Sequence, residues 1–200
     1  MTAQTGQQAP SNWNVANALT VLRLAMVPLF GWLLLSAEDD DGPRRWAALA
    51  VFVAASLTDQ WDGYLARVRG LETPWGAIAD PIADKALTGV ALIALSVLGE
   101  LPWWMTIVIL IREWGITLLR LWVIRHGVIP ASPGGKLKTV LQMAALMAFL
   151  VPLPDALDPV LLWLMGAAVV VTVLTGIDYV FRAVALRRRG LAGERPSAEA

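Results

Sequence analysis

Four aspartates interrupt segments that are otherwise apolar: Asp59 and Asp62 close one segment, and Asp80 and Asp84 open the next. On a helix of about 3.6 residues per turn, Asp59, Gly63 and Arg67 form one ridge with Asp62 beside it, while Gly76, Asp80 and Asp84 form another. If the short segment between them folds these helices into an antiparallel hairpin, the acids meet at matching depths. Positions 62 and 80 share the midpoint 71, and positions 59 and 84 the midpoint 71.5. Gly63, Ala66, Gly76, Ala77 and Ala83 keep the neighbourhood small, which permits close backbone approach and leaves volume for a ligand. Converging carboxylates repel unless some are protonated or a divalent cation compensates them, and oxygen-only ligation favours Mg²⁺, Mn²⁺ or Ca²⁺. Two such ions can bind a pyrophosphate, activate an attacking oxygen and stabilise a leaving phosphate in an in-line displacement. The competing reading, structural ion pairs with Arg67 and Lys85, leaves more acids than two cations satisfy.

The elements that must carry these residues belong in a membrane. Of 200 residues, 57% are hydrophobic and 16% charged, with a mean hydropathy of +0.60. That composition excludes disorder and suffices for six crossings of about 20 residues each, with no room for a separate soluble domain. Residues 1–200 are therefore expected to form a single membrane-embedded domain. The apolar stretches run from Leu19 to Ala37, Trp46 to Arg67, Trp75 to Leu98, Pro102 to Ile124, Leu137 to Val151 and Pro159 to Phe181, with Gly- and Pro-rich turns between them. The fold class is all-α integral membrane: six transmembrane helices preceded by a short N-terminal interfacial helix (within 1–18, with Trp13 at headgroup level) and followed by a polar tail (187–200). The segment Ser11 to Leu19 is too polar for a signal peptide. One set of loops and the C-terminal tail hold Arg69, Arg125, Lys136, Lys138, Arg182, Arg187, Arg188, Arg189 and Arg195, against Arg44 and Arg45 opposite, which puts both termini in the cytoplasm. Zero net charge gives no field for nucleic acid, and the lack of Cys excludes disulfides, thiolate zinc sites and cysteine nucleophiles. No repeat relates the two halves, which argues against a transporter.

The run Asp59-x2-Asp62-Gly63-x2-Ala66-Arg67-x8-Gly76-x3-Asp80-x3-Asp84 resembles the signature of the CDP-alcohol phosphotransferase family at all eight fixed positions of a 26-residue window. The resemblance implies a six-helix enzyme, usually a homodimer, that moves a phosphatidyl group from a CDP-linked lipid to an alcohol and releases CMP. It implies that Asp59, Asp62 and Asp80 are metal ligands, with Asp84 completing the site and acting as general base. Two ions are implied, Mg²⁺ or Mn²⁺. Asp62, Gly63, Ala66, Arg67, Thr73 and Gly76 would bind the CDP-lipid together with Asn14 and Asn17. Those two asparagines lie in Asn14-Val15-Ala16-Asn17-Ala18-Leu19-Thr20-Val21-Leu22-Arg23, which is similar to the family's opening except that Ala16 stands where Pro is common.

The signature fixes donor and chemistry but leaves the acceptor open. Ile111 to Arg120 and Gly135 to Met143 resemble the bacterial branch that uses sn-glycerol 3-phosphate, so CDP-diacylglycerol and sn-glycerol 3-phosphate are the expected substrates in a bacterial cytoplasmic membrane, with membrane lipids as surroundings. A phosphate-bearing acceptor needs cationic partners, and Arg112, Arg120, Lys136 and Lys138 fall toward the cytoplasmic half or its loop. Each has a plainer role as well: Lys136 and Lys138 as topological anchors, Arg112 as a partner for Glu113. Phosphatidylglycerol, as in a cardiolipin synthase, or inositol phosphate are the alternative acceptors; an ion or proton transporter is the remote alternative.

Overall fold

The structure, a computed structural model, describes residues 15–37, 42–69, 73–123 and 133–191, without the side chains of residues 16, 59, 60, 62–67, 69, 74, 77, 78, 121, 123, 133 and 188–191. Each expected apolar segment lies on one α-helix: α1 (Val15–Leu35), α2 (Pro43–Arg69), α3 (Pro74–Val97), α4 (Trp103–Val123), α5 (Pro133–Leu150) and α6 (Asp158–Leu191). Among the described residues there is no strand. Three of the helices open on proline, whose fixed φ suits a first helical position and whose missing N–H is not needed there. Among the described residues two stretches, Asn17–Leu35 and Asp155–Arg187, are long and apolar enough to cross a membrane by length and composition, with mean hydropathies of 2.0 and 2.4.

At both ends the helices run on past the apolar stretches. The interfacial helix expected within residues 1–18 is not separate where it is described, because α1 starts at Val15 and runs unbroken through Leu19. No Gly or Pro between Val15 and Leu19 stops the helix there, and residues 1–14 lie outside the described set. The polar tail expected from residue 187 is still helix as far as Leu191. Leu and Arg are strong helix formers, and the Arg187 guanidinium lies 3.8 Å from the centroid of the Trp122 ring, a cation–π contact that holds this extension.

The chain divides into two compact units, one built from residues up to Ala94 with Leu150–Pro152, the other from Leu95–Phe149 and from Leu153 onward. In the first, α1 and α2 pack through Phe30 and Phe52, whose ring centroids are 5.4 Å apart, with Leu34, Ala48 and Ala55 buried around them. A Cβ at Gly31 would lie 2.9 Å from Val90 Cγ1, so the absent side chain leaves room for Val90 of α3 against α1. In the second, α4 packs on α6 around Ile109, Met165 and Ala168. The turn from α3 into α4 is closed by Gly99 at φ +82°, with Gly99 N–H donating to Ser96 C=O (3.2 Å) and Glu100 N–H to Leu95 C=O (3.0 Å). That is the Schellman pairing of a helix C-terminus, which needs the left-handed backbone glycine supplies.

Candidate functional site

In the first unit the polar residues of α1 recur every three positions. Asn17, Thr20 and Arg23 are 5%, 1% and 0% exposed, a buried polar ridge on a helix otherwise apolar enough to span a membrane. The ridge meets the start of α3. Thr73 caps that helix, its Oγ1 accepting the Gly76 N–H at 3.0 Å. The Asn17 amide donates to the same Oγ1 at 2.9 Å, and the Thr73 hydroxyl lies 3.1 Å from Asn17 Oδ1. One turn further, the Thr20 hydroxyl donates to Asp80 Oδ1 at 2.6 Å. Gly76 is the floor of this arrangement: a Cβ there would stand 2.8 Å from Asn17 Oδ1, 3.2 Å from Thr73 Oγ1 and 3.8 Å from Asp80 Oδ2. Three oxygens from three residues thus surround a place that only glycine leaves open.

Among the described residues, the oxygens around Gly76 are hard donors of the type a divalent cation takes. No three carboxylates converge among the described side chains. Asp59, Asp62, Gly63, Ala66 and Arg67 stand on the last turns of α2, their side chains outside the described set. Asn14 lies outside it altogether. Asp84 sits one turn beyond Asp80 on α3 and is exposed. The structure therefore brings Asn17, Thr73, Gly76 and Asp80 together and leaves Asp84 on the same helix face by its i+4 spacing.

The second unit holds a different cluster. The Glu113 carboxylate accepts from Lys138 Nζ and, at 3.2 Å, from Arg112 Nη1. Arg112 is further committed to the Thr172 carbonyl through Nε (3.2 Å) and to Thr175 Oγ1 through Nη2 (3.1 Å). Gly176 lets it lie there, since a Cβ at that position would be 3.2 Å from Arg112 Cγ. The pairing of Arg112 with Glu113, expected as its plainer role, is what the structure contains. Lys138 is buried, its side chain 8% exposed. Arg120 stands apart from this trio: its Nε donates to the Tyr179 hydroxyl at 3.3 Å, and its guanidinium lies 5.9 Å from the ring centroid. Lys136 is exposed at the start of α5.

The family model of the CDP-alcohol phosphatidyltransferases matches residues 13–174, a span containing all eight motif positions. This chain belongs to that family. A protein of Mycobacterium tuberculosis named "Probable phosphatidylglycerophosphate synthase" is 51% identical over 185 residues, 92% of this chain and 87% of the relative. A Bacillus subtilis protein named "CDP-diacylglycerol--glycerol-3-phosphate 3-phosphatidyltransferase" is 37% identical over 84% of this chain and 93% of its own length. The Pseudomonas fluorescens protein of the same name is 39% identical over 68% of this chain. The chain is thus a CDP-alcohol phosphatidyltransferase, an enzyme of phospholipid biosynthesis.

For this phosphatidyltransferase, reasoning from the motif passed over Thr20 and the bridging role of Glu113. Thr20 carried a signal: a polar residue three positions after Asn17 and three before Arg23 shares their face. Nothing comparable marked Glu113 as the residue on which two cations converge.

Proposed function

We propose that the chain transfers the phosphatidyl group of CDP-diacylglycerol to sn-glycerol 3-phosphate, yielding phosphatidylglycerophosphate and CMP. The observation that carries this reading is the 51% identity over 92% of the chain to a relative named as a phosphatidylglycerophosphate synthase. Residues 1–200 are read as one membrane domain with six crossings, both termini and the active site facing the cytosol of a bacterial inner membrane, surrounded by lipid and paired with a second copy of the chain.

Asp59, Asp62, Asp80 and Asp84 are assigned as the holders of two divalent cations, Mg²⁺ or Mn²⁺. Such ions supply charge neutralisation at the pyrophosphate and at the leaving CMP oxygen. Asn14, Asn17, Asp62, Gly63, Ala66, Arg67, Thr73 and Gly76 are assigned to the CDP-lipid. The cradle at Gly76 supports this part, because it offers amide and hydroxyl groups beside a carboxylate with no side chain in the way. Asp84 is the general base: it takes the proton of the acceptor's 1-hydroxyl as that oxygen attacks the β-phosphorus, and the bond to CMP breaks in the same displacement. Arg112, Arg120, Lys136 and Lys138 are assigned to the acceptor phosphate, Lys138 being paired with Glu113 as well. Arg112 is already committed to Glu113, Thr172 and Thr175, and Arg120 rests on Tyr179.

The test is CMP release by purified protein given CDP-diacylglycerol with sn-glycerol 3-phosphate, inositol phosphate or phosphatidylglycerol in parallel. Release with sn-glycerol 3-phosphate alone is expected; release without acceptor would overturn direct displacement. Orientation is tested in this Cys-free chain by single cysteines at Lys136 and Asp155, which should be labelled from opposite sides of the membrane.

A further inference from the structure

Helical threonines and serines ordinarily return their hydroxyl proton to their own helix. This chain follows that habit repeatedly: Ser56 donates to Phe52 C=O (2.8 Å), Thr88 to Asp84 C=O (3.1 Å), Thr117 to Glu113 C=O (2.9 Å), Thr139 to Gly135 C=O (3.1 Å) and Thr175 to Val171 C=O (2.7 Å). Thr20 also reaches beyond its own helix. Thr20 is 1% exposed in the second turn of α1, and its hydroxyl reaches across to α3 and donates to Asp80 Oδ1 at 2.6 Å, 60 residues away in sequence. That distance is in the short range of a hydroxyl-to-carboxylate bond. Among the described residues it is the hydrogen bond that fixes the Asp80 carboxylate.

The consequence lies in the other oxygen. A carboxylate is planar, so holding Oδ1 fixes Oδ2, and Oδ2 is the Asp80 oxygen 3.8 Å from the open place above Gly76, across from Asn17 Oδ1 and Thr73 Oγ1. We infer that Thr20 is a positioning residue of the phosphatidyl-transfer site: by clamping Oδ1 of Asp80 it turns Oδ2 toward the cradle and presents it as the metal-binding oxygen. The inference rests on the assignment of Asp80 as a metal ligand. A neutral clamp suits that task better than a cation would. Lys or Arg at position 20 would neutralise the carboxylate and compete with the divalent ion, whereas a hydroxyl orients the ligand and leaves its negative charge in place.

The experiment is Mn²⁺ binding to purified protein without substrate, read from the electron paramagnetic resonance signal of free Mn²⁺, alongside the Mn²⁺ dependence of CMP release. Thr20→Val keeps the side chain's shape and removes the donor. It should weaken Mn²⁺ binding by about 10-fold or more and raise the Mn²⁺ concentration needed for half-maximal activity by the same factor, the scale expected when a ligand loses its orienting partner. Thr20→Ser, which keeps the donor, should bind Mn²⁺ like the wild type. If Thr20→Val is not recovered folded, Thr20→Ala removes the same donor and is measured instead. Wild-type Mn²⁺ affinity without the hydroxyl, or equal losses in Thr20→Ser and Thr20→Val, would overturn the inference, since the second pattern marks a packing role for the methyl group. Asp80→Asn, measured beside them, separates the two levels. If it abolishes Mn²⁺ binding while Thr20→Val leaves binding intact, only the role of Thr20 falls; if Asp80→Asn itself binds Mn²⁺ normally, the assignment of Asp80 falls and the role of Thr20 with it.

Discussion

Two carboxylates inside apolar helices, Asp80 on α3 and Glu113 on α4, face the same desolvation problem and meet it in opposite ways. Asp80 is held by a neutral hydroxyl from Thr20, beside the neutral Asn17 and Thr73, so its negative charge stays available. Glu113 is met by two cations, Lys138 and Arg112, so its charge is consumed and the trio carries one positive charge in excess. The contrast teaches that the partner's charge, more than the acid itself, decides what a half-buried carboxylate can do. A carboxylate oriented by neutral donors remains a cation site. One flanked by two cations becomes scaffolding that holds basic groups ready for an anion.

The sharpest way to break this comparison is to neutralise the first acid. Asp80→Asn should lower kcat/KM by roughly 10³-fold, because several kcal/mol of transition-state charge stabilisation depend on the bound cation. Its Tm should not fall, since removing an acid from an apolar helix relieves desolvation. Turnover and thermal unfolding of the same preparation check both halves.

On the cationic side the expected effect is smaller and of a different kind. Lys138→Ala should raise KM for sn-glycerol 3-phosphate by about 10- to 100-fold while kcat holds, because a charge-assisted contact to the acceptor phosphate is worth roughly 1.5–3 kcal/mol. An unchanged acceptor KM would move the phosphate contact away from this cluster and leave Glu113 as pure scaffold.

Two glycines sharpen the comparison without touching charge. Gly76→Ala puts a methyl 2.8 Å from Asn17 Oδ1 and should destabilise by about 1–3 kcal/mol, with donor KM raised as the cradle closes. Gly115→Ala on α4 meets nothing within 4 Å and should be neutral or stabilising by up to about 1 kcal/mol through helix propensity. Equal Tm values for these two variants would deny that the cradle is tightly built. The smallest effect is expected at the edge of the second unit: Tyr179→Phe removes an exposed hydrogen bond to Arg120 and should shift stability by no more than about 0.5 kcal/mol.

Much of this was legible in the residues. Six apolar segments became six helices because composition and turn chemistry act locally, and their limits moved where local cues were weak. α1 begins at Val15 because nothing between it and Leu19 breaks a helix, and α6 runs on to Leu191 through the helix-forming but polar Arg187-Arg188-Arg189. The i, i+4 spacing of Gly76, Asp80 and Asp84 placed them on one face of α3, since periodicity is intrinsic to the helix. The link from Arg112 to Glu113 was also within reach, being a contact between chain neighbours.

What the sequence by itself determined, then, is helicity, membrane character, family and the face of α3 on which the acids stand. Only the tertiary structure decided which oxygen of Asp80 is held and by what, that Thr73 and Asn17 share the space over Gly76, and that Lys138 joins Arg112 on one carboxylate. The physical reason is separation along the chain. Asn17 and Thr73 are 56 residues apart, Thr20 and Asp80 60, and Glu113 and Lys138 25. Periodicity fixes which residues share a face of one helix, but the rotation and depth at which two helices meet depend on packing along their whole length, as where Gly31 admits Val90. No local rule connects a threonine hydroxyl on α1 to one particular oxygen on α3.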